Sequence, residues 1–169
     1  MDIKAFQNEV LPGKNKYFRY AFSITGNREL SEDIVQDVLM KIWENRTQLT
    51  DVQNKEAWCM RMTRNLSIDK LRVKANQGES LDKAARFSHP GLSPEQVAQN
   101  NEVHGIVTDM INQLPESQKD IIKLRDVLGY SYKEIAEVLS MDLNAVKVTL
   151  FRARKKLREQ LTTINAYGY

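Results

Sequence analysis

The chain has 169 residues, and its 25 Lys+Arg against 22 Asp+Glu give a formal charge of +3, a length suited to one domain or two small ones. A composition that is 41% hydrophobic and 28% charged supports a packed core and excludes a wholly disordered chain. The single cysteine, Cys59, excludes an internal disulfide framework and any zinc site built on several cysteines. The stretch Met1–Val10 carries an early acid and no long apolar run, so no signal peptide is expected. With no run of ~18 apolar residues, no membrane insertion is expected either. A cytoplasmic protein is the expectation.

Two helical blocks joined by a linker are predicted. Short helices are expected around Met1–Val10 and Lys14–Thr25, separated by the breaker Leu11-Pro12-Gly13. Gly26-Asn27 ends the second of them. Ser31 is predicted as the N-cap of the next helix, with Glu32 and Asp33 in its first turn, where the helix dipole favours acids. That helix is expected to reach Asn45, with Ile34, Val35, Val38, Leu39, Ile42 and Trp43 forming one apolar stripe. A polar loop over Thr47–Asn54 then precedes a helix expected over Lys55–Val73.

The segment from Lys74 to about Glu95 has no sustained period and contains Gly78, His89-Pro90-Gly91, Ser93 and Pro94, which reads as a linker. Helix resumes near Gln96–Gln113 and is interrupted at Leu114-Pro115. Pro115 suits the first position of a helix that runs to about Leu128 and ends at Gly129. Ser131-Tyr132-Lys133-Glu134 forms a capping box for a short helix ending near Leu139, and Asp142 caps a last helix reaching at least Gln160. No segment alternates like a strand, so the fold class is all-α, two small helical domains joined by a flexible linker.

Charge is informative through its placement. Residues 1–73 carry +2, residues 74–104 carry −1 and residues 105–169 carry +2. Within the last part, Lys147, Arg152, Arg154, Lys155, Lys156 and Arg158 crowd into twelve residues without an acid, the electrostatic footprint of a phosphate-binding surface.

Tyr132–Leu157 has the pattern of a helix-turn-helix. Ile135, Ala136 and Leu139 face inward, Met141 is placed to be buried in a tight turn, and a capped second helix follows. In that helix Val146, Leu150, Ala153, Leu157 and Leu161 form the core side. Lys147, Phe151, Arg154 and Arg158 recur at the same spacing one residue over, a basic stripe suited to a major groove. Early residues of a recognition helix meet base edges and later basic ones meet phosphate. Asn144, Lys147, Val148 and Phe151 are therefore candidates for base contact, Val148 and Phe151 through thymine methyls. Arg152, Arg154, Lys155 and Arg158 are candidates for phosphate contact. A solvated surface helix is the competing reading, and the turn before it disfavours that.

The helix Lys55–Val73 is ambiguous from its residues. At about 100° per residue, Trp58, Cys59, Met62 and Leu66 cluster on one side, and Arg61, Asn65, Ile68 and Arg72 share an adjacent stripe. Arg and Asn beside a Trp suit a nucleic-acid backbone and an unstacked base, but a Trp at helical spacing reads more often as core. Asp69 most simply pairs with Arg72 at i+3.

Taken together, the motifs resemble the extracytoplasmic-function (ECF) group of bacterial sigma-70 RNA polymerase sigma factors. Thr25-Gly26-Asn27, Glu32 to Val38 and Lys41-Ile42-Trp43 are similar to that family's region 2, which docks on the polymerase clamp. Trp58 and Met62 to Arg72 are similar to its segment that recognises and melts the −10 element. Leu114-Pro115, Gly129 to Ala136, Val146-Lys147 and Arg152 to Leu157 are similar to region 4, the −35 reader. The resemblance implies region 2 over residues 1–75, a linker over 76–95 and region 4 over 96–169. It implies polymerase contact by Asp33, Gln36, Asp37 and Lys41, and a flipped-base pocket for the −10 element at Asn65 with Arg61, Met62 and Arg72 and the Gln48–Asn54 loop nearby. For the −35 element it covers Lys147, Arg152 and Arg154, whereas Asn144, Val148 and Phe151 rest on their place in the helix, Val148-Thr149 departing from the polar pair the family often carries after the matched Lys147. Core RNA polymerase and promoter DNA are the implied partners, an anti-sigma factor is an allowed one, and no cofactor is expected.

Two other readings compete. A stand-alone helix-turn-helix regulator would explain the C-terminal block but leaves Asp33–Trp43 and Arg61–Arg72 without a task, and no heptad repeat offers it a dimer interface. An enzyme carrying a DNA-binding module would need catalytic groups. His89 and His104 sit in or beside the linker without metal-ligand spacing, and no phosphate-cradling glycine pattern exists.

Overall fold

The computed structural model describes residues 1–77 and 105–166. The linker from Gly78 onward, the start of the helix expected at Gln96, His89 and His104 all lie outside the described residues. The described elements are helical: α1 (Ile3–Glu9), α2 (Lys14–Thr25), α3 (Arg28–Glu44), α4 (Lys55–Asn76), α5 over 105–112, α6 (Glu116–Ile122), α7 (Tyr132–Leu139) and α8 (Leu143–Ala166). No strand occurs among the described residues, and the all-α reading holds. The chain divides into two units, the first built on α1–α4 and the second on α5, α6, the start of α7, and α8.

In the first unit α2 packs against both α3 and α4, and α3 against α4. Tyr17, Tyr20, Ala21, Ile34, Val35, Val38, Ile42, Cys59 and Met60 are buried there. The breaker before α2 is a single 3-10 turn over Leu11–Gly13. Gly13 lies against the Tyr17 ring so closely that a Cβ would stand 2.5 Å from its Cζ, an approach that only glycine permits. Gly26 ends α2 with φ +65, the left-handed C-cap its position suggested.

The start of α3 differs from expectation. Asn27, not Ser31, is the N-cap, its side chain accepting from the Leu30 amide at 2.8 Å. Ser31 is fully buried in the first turn, where its hydroxyl donates to the Asn27 carbonyl at 2.6 Å and meets the Thr25 hydroxyl at 2.7 Å. Starting the helix at Arg28 places Leu30 four residues before Ile34 and adds it to the buried stripe. Both Asn27 and Ser31 can cap, so core burial decided between them. The expected polar loop contains a 3-10 turn over Gln48–Asp51, and Leu49 within it is fully buried.

α4 begins on the Asn54 cap, whose side chain accepts from the Ala57 amide at 2.9 Å, and runs three residues beyond the expected end. Its buried side is rotated from the predicted one. The inward stripe is Ala57, Cys59, Met60, Thr63 and Ser67, whereas Trp58, Met62 and Leu66 are half-buried. The two inward hydroxyls are satisfied by their own helix: Thr63 donates to the Cys59 carbonyl at 2.9 Å and Ser67 to the Thr63 carbonyl at 2.7 Å. A hydroxyl bonded to the carbonyl one turn back carries no unmet polarity into a core.

In the second unit α6 packs against α8, burying Ile121, Ile122, Leu124, Val146, Leu150 and Ala153. Pro115 is the N-cap of α6, one residue outside the position expected. Beyond Ile122 the helix widens into a π-turn over Lys123–Val127 and stops at Gly129, φ +80. Asp120 and Lys123 are both buried there. Burial pushes the Lys123 amine below its ordinary 10.5, against the opposing pull of Asp120.

The capping box forms as read. The Ser131 amide donates to Glu134 at 2.7 Å and the Glu134 amide to the Ser131 hydroxyl at 3.2 Å. Asp142 caps α8 by accepting from the Ala145 amide at 2.8 Å. Ile135 is buried, while Ala136, Leu139 and Met141 are half-buried, Met141 less enclosed than expected. The core stripe of α8 also fades: Leu157 is half-buried and Leu161 exposed, because the helix outruns the body it packs on. Ser140, between α7 and α8, holds φ +53, a left-handed conformation that costs a non-glycine residue about 1 kcal/mol or more. Ser140→Gly is expected to raise stability by about 0.5 kcal/mol, the relief exceeding the extra chain entropy, as read from urea denaturation midpoints.

Candidate nucleic-acid interface

Three surfaces carry the predicted residues. On α3 the wide apolar stripe is turned inward, which leaves Asp33, Gln36 and Lys41 exposed on the opposite side. Asp37 is half-buried and bridges to Lys70 of α4, with 2.9 Å between carboxylate and amine. Met40 stands on the same face at 60% exposure, four residues from Gln36 and three from Asp37. Sequence reasoning gave Met40 no role. Its position midway between Val38 and Ile42, two residues from each and so about 200° round the helix, was the available signal.

On α4 the stripe of Arg61, Asn65, Ile68 and Arg72 lies away from the buried Met60–Thr63–Ser67 line. Asn65 and Arg72 are exposed, and Arg61, Met62 and Ile68 half-buried. Trp58 and Met62 flank this stripe as partly covered apolar groups. Arg72 stands 3.9 Å from Asp69, the i+3 pair that was expected and a weak one at this exposure. Leu49, in the adjoining turn, is part of the core and offers nothing to a base. The surface thus combines cations, an amide with donors and acceptors, and apolar groups able to stack or pack against an unstacked base.

On α8 the outward side carries Asn144, Lys147, Val148, Phe151 and Arg152, all exposed. Phe151 reaches 69% exposure, unusual for an aromatic with only a structural task. Arg154 is also exposed but engaged: its Nε donates to Asp126 Oδ2 at 3.1 Å while Nη2 faces the other carboxylate oxygen. That hydrogen bonding pushes the guanidinium pKa upward. Arg152 and Arg158 make no ion pair among the described residues, and Lys155 lies 3.9 Å from Glu159. Behind this side, Arg125 donates to the Tyr130 carbonyl at 2.7 Å and covers the Tyr132 ring at 4.8 Å. Among the described residues no group of three or more His, Cys, Asp and Glu is placed to hold a metal ion, and no helix is long and apolar enough to cross a membrane.

The chain matches the family model described as Sigma-70 region 2 over residues 13–77 and that described as Sigma-70, region 4 over residues 104–157. It is 27% identical to the ECF RNA polymerase sigma factor SigW of Bacillus subtilis, over 95% of this chain and 90% of that one. It is 31% identical to the RNA polymerase sigma factor SigZ of the same organism, over 80% and 74%. Among solved structures it is similar to the sigma factor RpoE in complex with the anti-sigma factor NepR from Bartonella quintana. The TM-score is 0.69 at 25% identity, covering 95% of this chain and 98% of that one.

Proposed function

The chain belongs to the sigma-70 family of RNA polymerase sigma factors, in its ECF group, and from that we propose how its surfaces divide the work. It is an RNA polymerase sigma factor: it binds core polymerase, confers promoter specificity and helps melt the −10 region. Its task is binding and positioning in the cytoplasm, without a catalytic group of its own. Region 2 is taken as residues 1–75 and region 4 as residues 96–169, joined by the 76–95 linker.

Asp33, Gln36, Asp37 and Lys41 form the polymerase-binding face of α3, with Met40 as the apolar contact inside a polar rim, the arrangement that gives an interface its tightly held centre. Asn65, Arg61, Met62 and Arg72 serve the −10 element. Unstacking a base costs a few kcal/mol, and stacking plus hydrogen bonds worth ~1–3 kcal/mol per base offset that once polymerase holds the DNA. Asn144, Lys147, Val148, Phe151 and Arg152 meet the −35 element at the outward face of α8. The observation that carries this reading is the coexistence of an exposed polar α3 face, an exposed Asn65 and an exposed recognition helix. A stand-alone regulator would need only the last.

Transcription in vitro with purified core polymerase on genomic fragments tests it. Discrete transcripts sharing upstream elements are expected only when the protein is added. Tight sequence-specific DNA binding without such transcripts would favour the regulator. On a promoter so found, Lys147→Ala is expected to weaken promoter-specific binding about tenfold. Asn65→Ala should spare duplex binding and slow melting about tenfold. Equal loss of both activities in both variants would overturn the division of labour. An anti-sigma factor is the proposed antagonist, supported by the similar RpoE chain solved with NepR. Affinity capture from native cells should recover a non-polymerase partner, and repeated recovery of polymerase alone would count against it.

A further inference from the structure

The basic stripe of α8 is not uniform. Arg152 and Arg158 stand without an ion pair among the described residues, but Arg154 spends one edge of its guanidinium, two N–H donors, on the Asp126 carboxylate. Asp126 lies in the π-turn that ends α6, 28 residues away in sequence. A forked guanidinium–carboxylate pair is directional as a point charge is not, because two parallel N–H donors fix the plane of both groups. An exposed pair adds little to stability, so orientation is what this contact can supply. The same turn carries a second cation contact: Arg125 donates to the Tyr130 carbonyl at 2.7 Å and lies over the Tyr132 ring.

We propose that Arg154 is a positioning residue and not a phosphate ligand, its fork to Asp126 setting the rotation of α8 on the end of α6 and so the direction in which Asn144, Lys147 and Val148 meet the groove. This rests on the −35 reading of α8 given above. It also separates two neighbouring arginines of one stripe: Arg152 meets DNA, and Arg154 aims the residues that do.

The test uses holoenzyme assembled with Arg154→Gln, Asp126→Asn or both, on a promoter recovered by transcription in vitro. Binding is measured at several salt concentrations, at a temperature where the −10 region stays closed, on intact DNA and on DNA with a scrambled −35 element. Each single variant is expected to reduce discrimination between the two DNAs about tenfold. The slope of log K against log salt and the affinity for scrambled DNA should stay as in wild type, and the double variant should lose no more than either single one. Asp126→Glu should recover most of the loss. A mere loss of folded protein would lower both affinities together and leave discrimination intact, which would overturn the proposal. So would a salt slope reduced by ~0.9 in Arg154→Gln with binding by Asp126→Asn unchanged or tighter. Wild-type holoenzyme that does not discriminate between the two DNAs would instead remove the −35 reading itself, and the proposal with it.

Discussion

Leu150→Ala is expected to lower the stability of the second unit by about 3 kcal/mol and to weaken −35-dependent transcription while polymerase binding survives. Leu150 is buried on α8 with Val146 four residues before it and Ala153 three after, on the side of the helix that packs against α6. Truncation removes apolar burial and leaves a space that fixed helices can only partly close, a combination costing about 2–5 kcal/mol for leucine. A small domain has only about 5–15 kcal/mol of net stability, so the loss leaves the unit folded but the recognition helix less firmly docked. Urea unfolding should show one transition moved to lower denaturant. Holoenzyme assembly should be unchanged, because the α3 face proposed to bind polymerase belongs to the other unit. Unchanged −35 discrimination in this variant would show that α8 does not depend on its docking to α6.

Raising the pH from 8 to 11 is expected to cost the first unit about 2 kcal/mol through one group, Cys59. Burial pushes the Cys59 thiol from its ordinary 9.0 to about 11, with Tyr17 pulling weakly the other way and Glu56 adding to the rise. Between those two values the unfolded chain loses the thiol proton and the folded chain keeps it. The unfolded state then binds fewer protons, so stability is fully present below pH 9 and drains away as the pH climbs towards 11. Lysines and tyrosines titrate in the same range, so the informative quantity is the difference between wild type and Cys59→Ser. That difference should change by about 2 kcal/mol between pH 8 and pH 11, measured by urea denaturation. A difference independent of pH would mean that the thiol meets water in the folded protein. By the same physics, a thiol reagent at pH 8 should label Cys59 only through unfolding.

The parts of the fold that were legible from residues are those settled within one turn of chain. Gly26 and Gly129 end helices through their own backbone freedom, and Ser131, Glu134 and Asp142 cap through bonds spanning three residues. The errors are cases where distance decided. Asn27 and Ser31 are equally good caps, and only the burial of Leu30 against the rest of the unit selects the first. Leu161 continues a perfect spacing past the end of its packing surface. The pairing of Arg154 with Asp126, 28 residues away, is likewise a contact that the basic stripe alone did not announce. The candidate surfaces were legible in outline because charge and spacing mark a helix face. Met40 was missed although its spacing from Ile34, Val38 and Ile42 sets it on the outer side of α3, because apolar character alone suggests a place inside.

The inward stripe of α4 through Thr63 and Ser67 has a consequence for how such helices are found. Most amphipathic helices hide their oily side and show their polar one. α4 keeps its hydroxyls inside, bonded back on their own helix, and leaves Trp58, Met62 and Leu66 nearer the surface. A search that ranks helices by the separation of apolar from polar residues would discard it as featureless. That mixture, a threonine and serine ladder inside beside Ala57, Cys59 and Met60 and part-covered Trp58, Met62 and Leu66 outside among arginines, is a pattern by which helices of this kind could be sought in chains that share nothing else with this one.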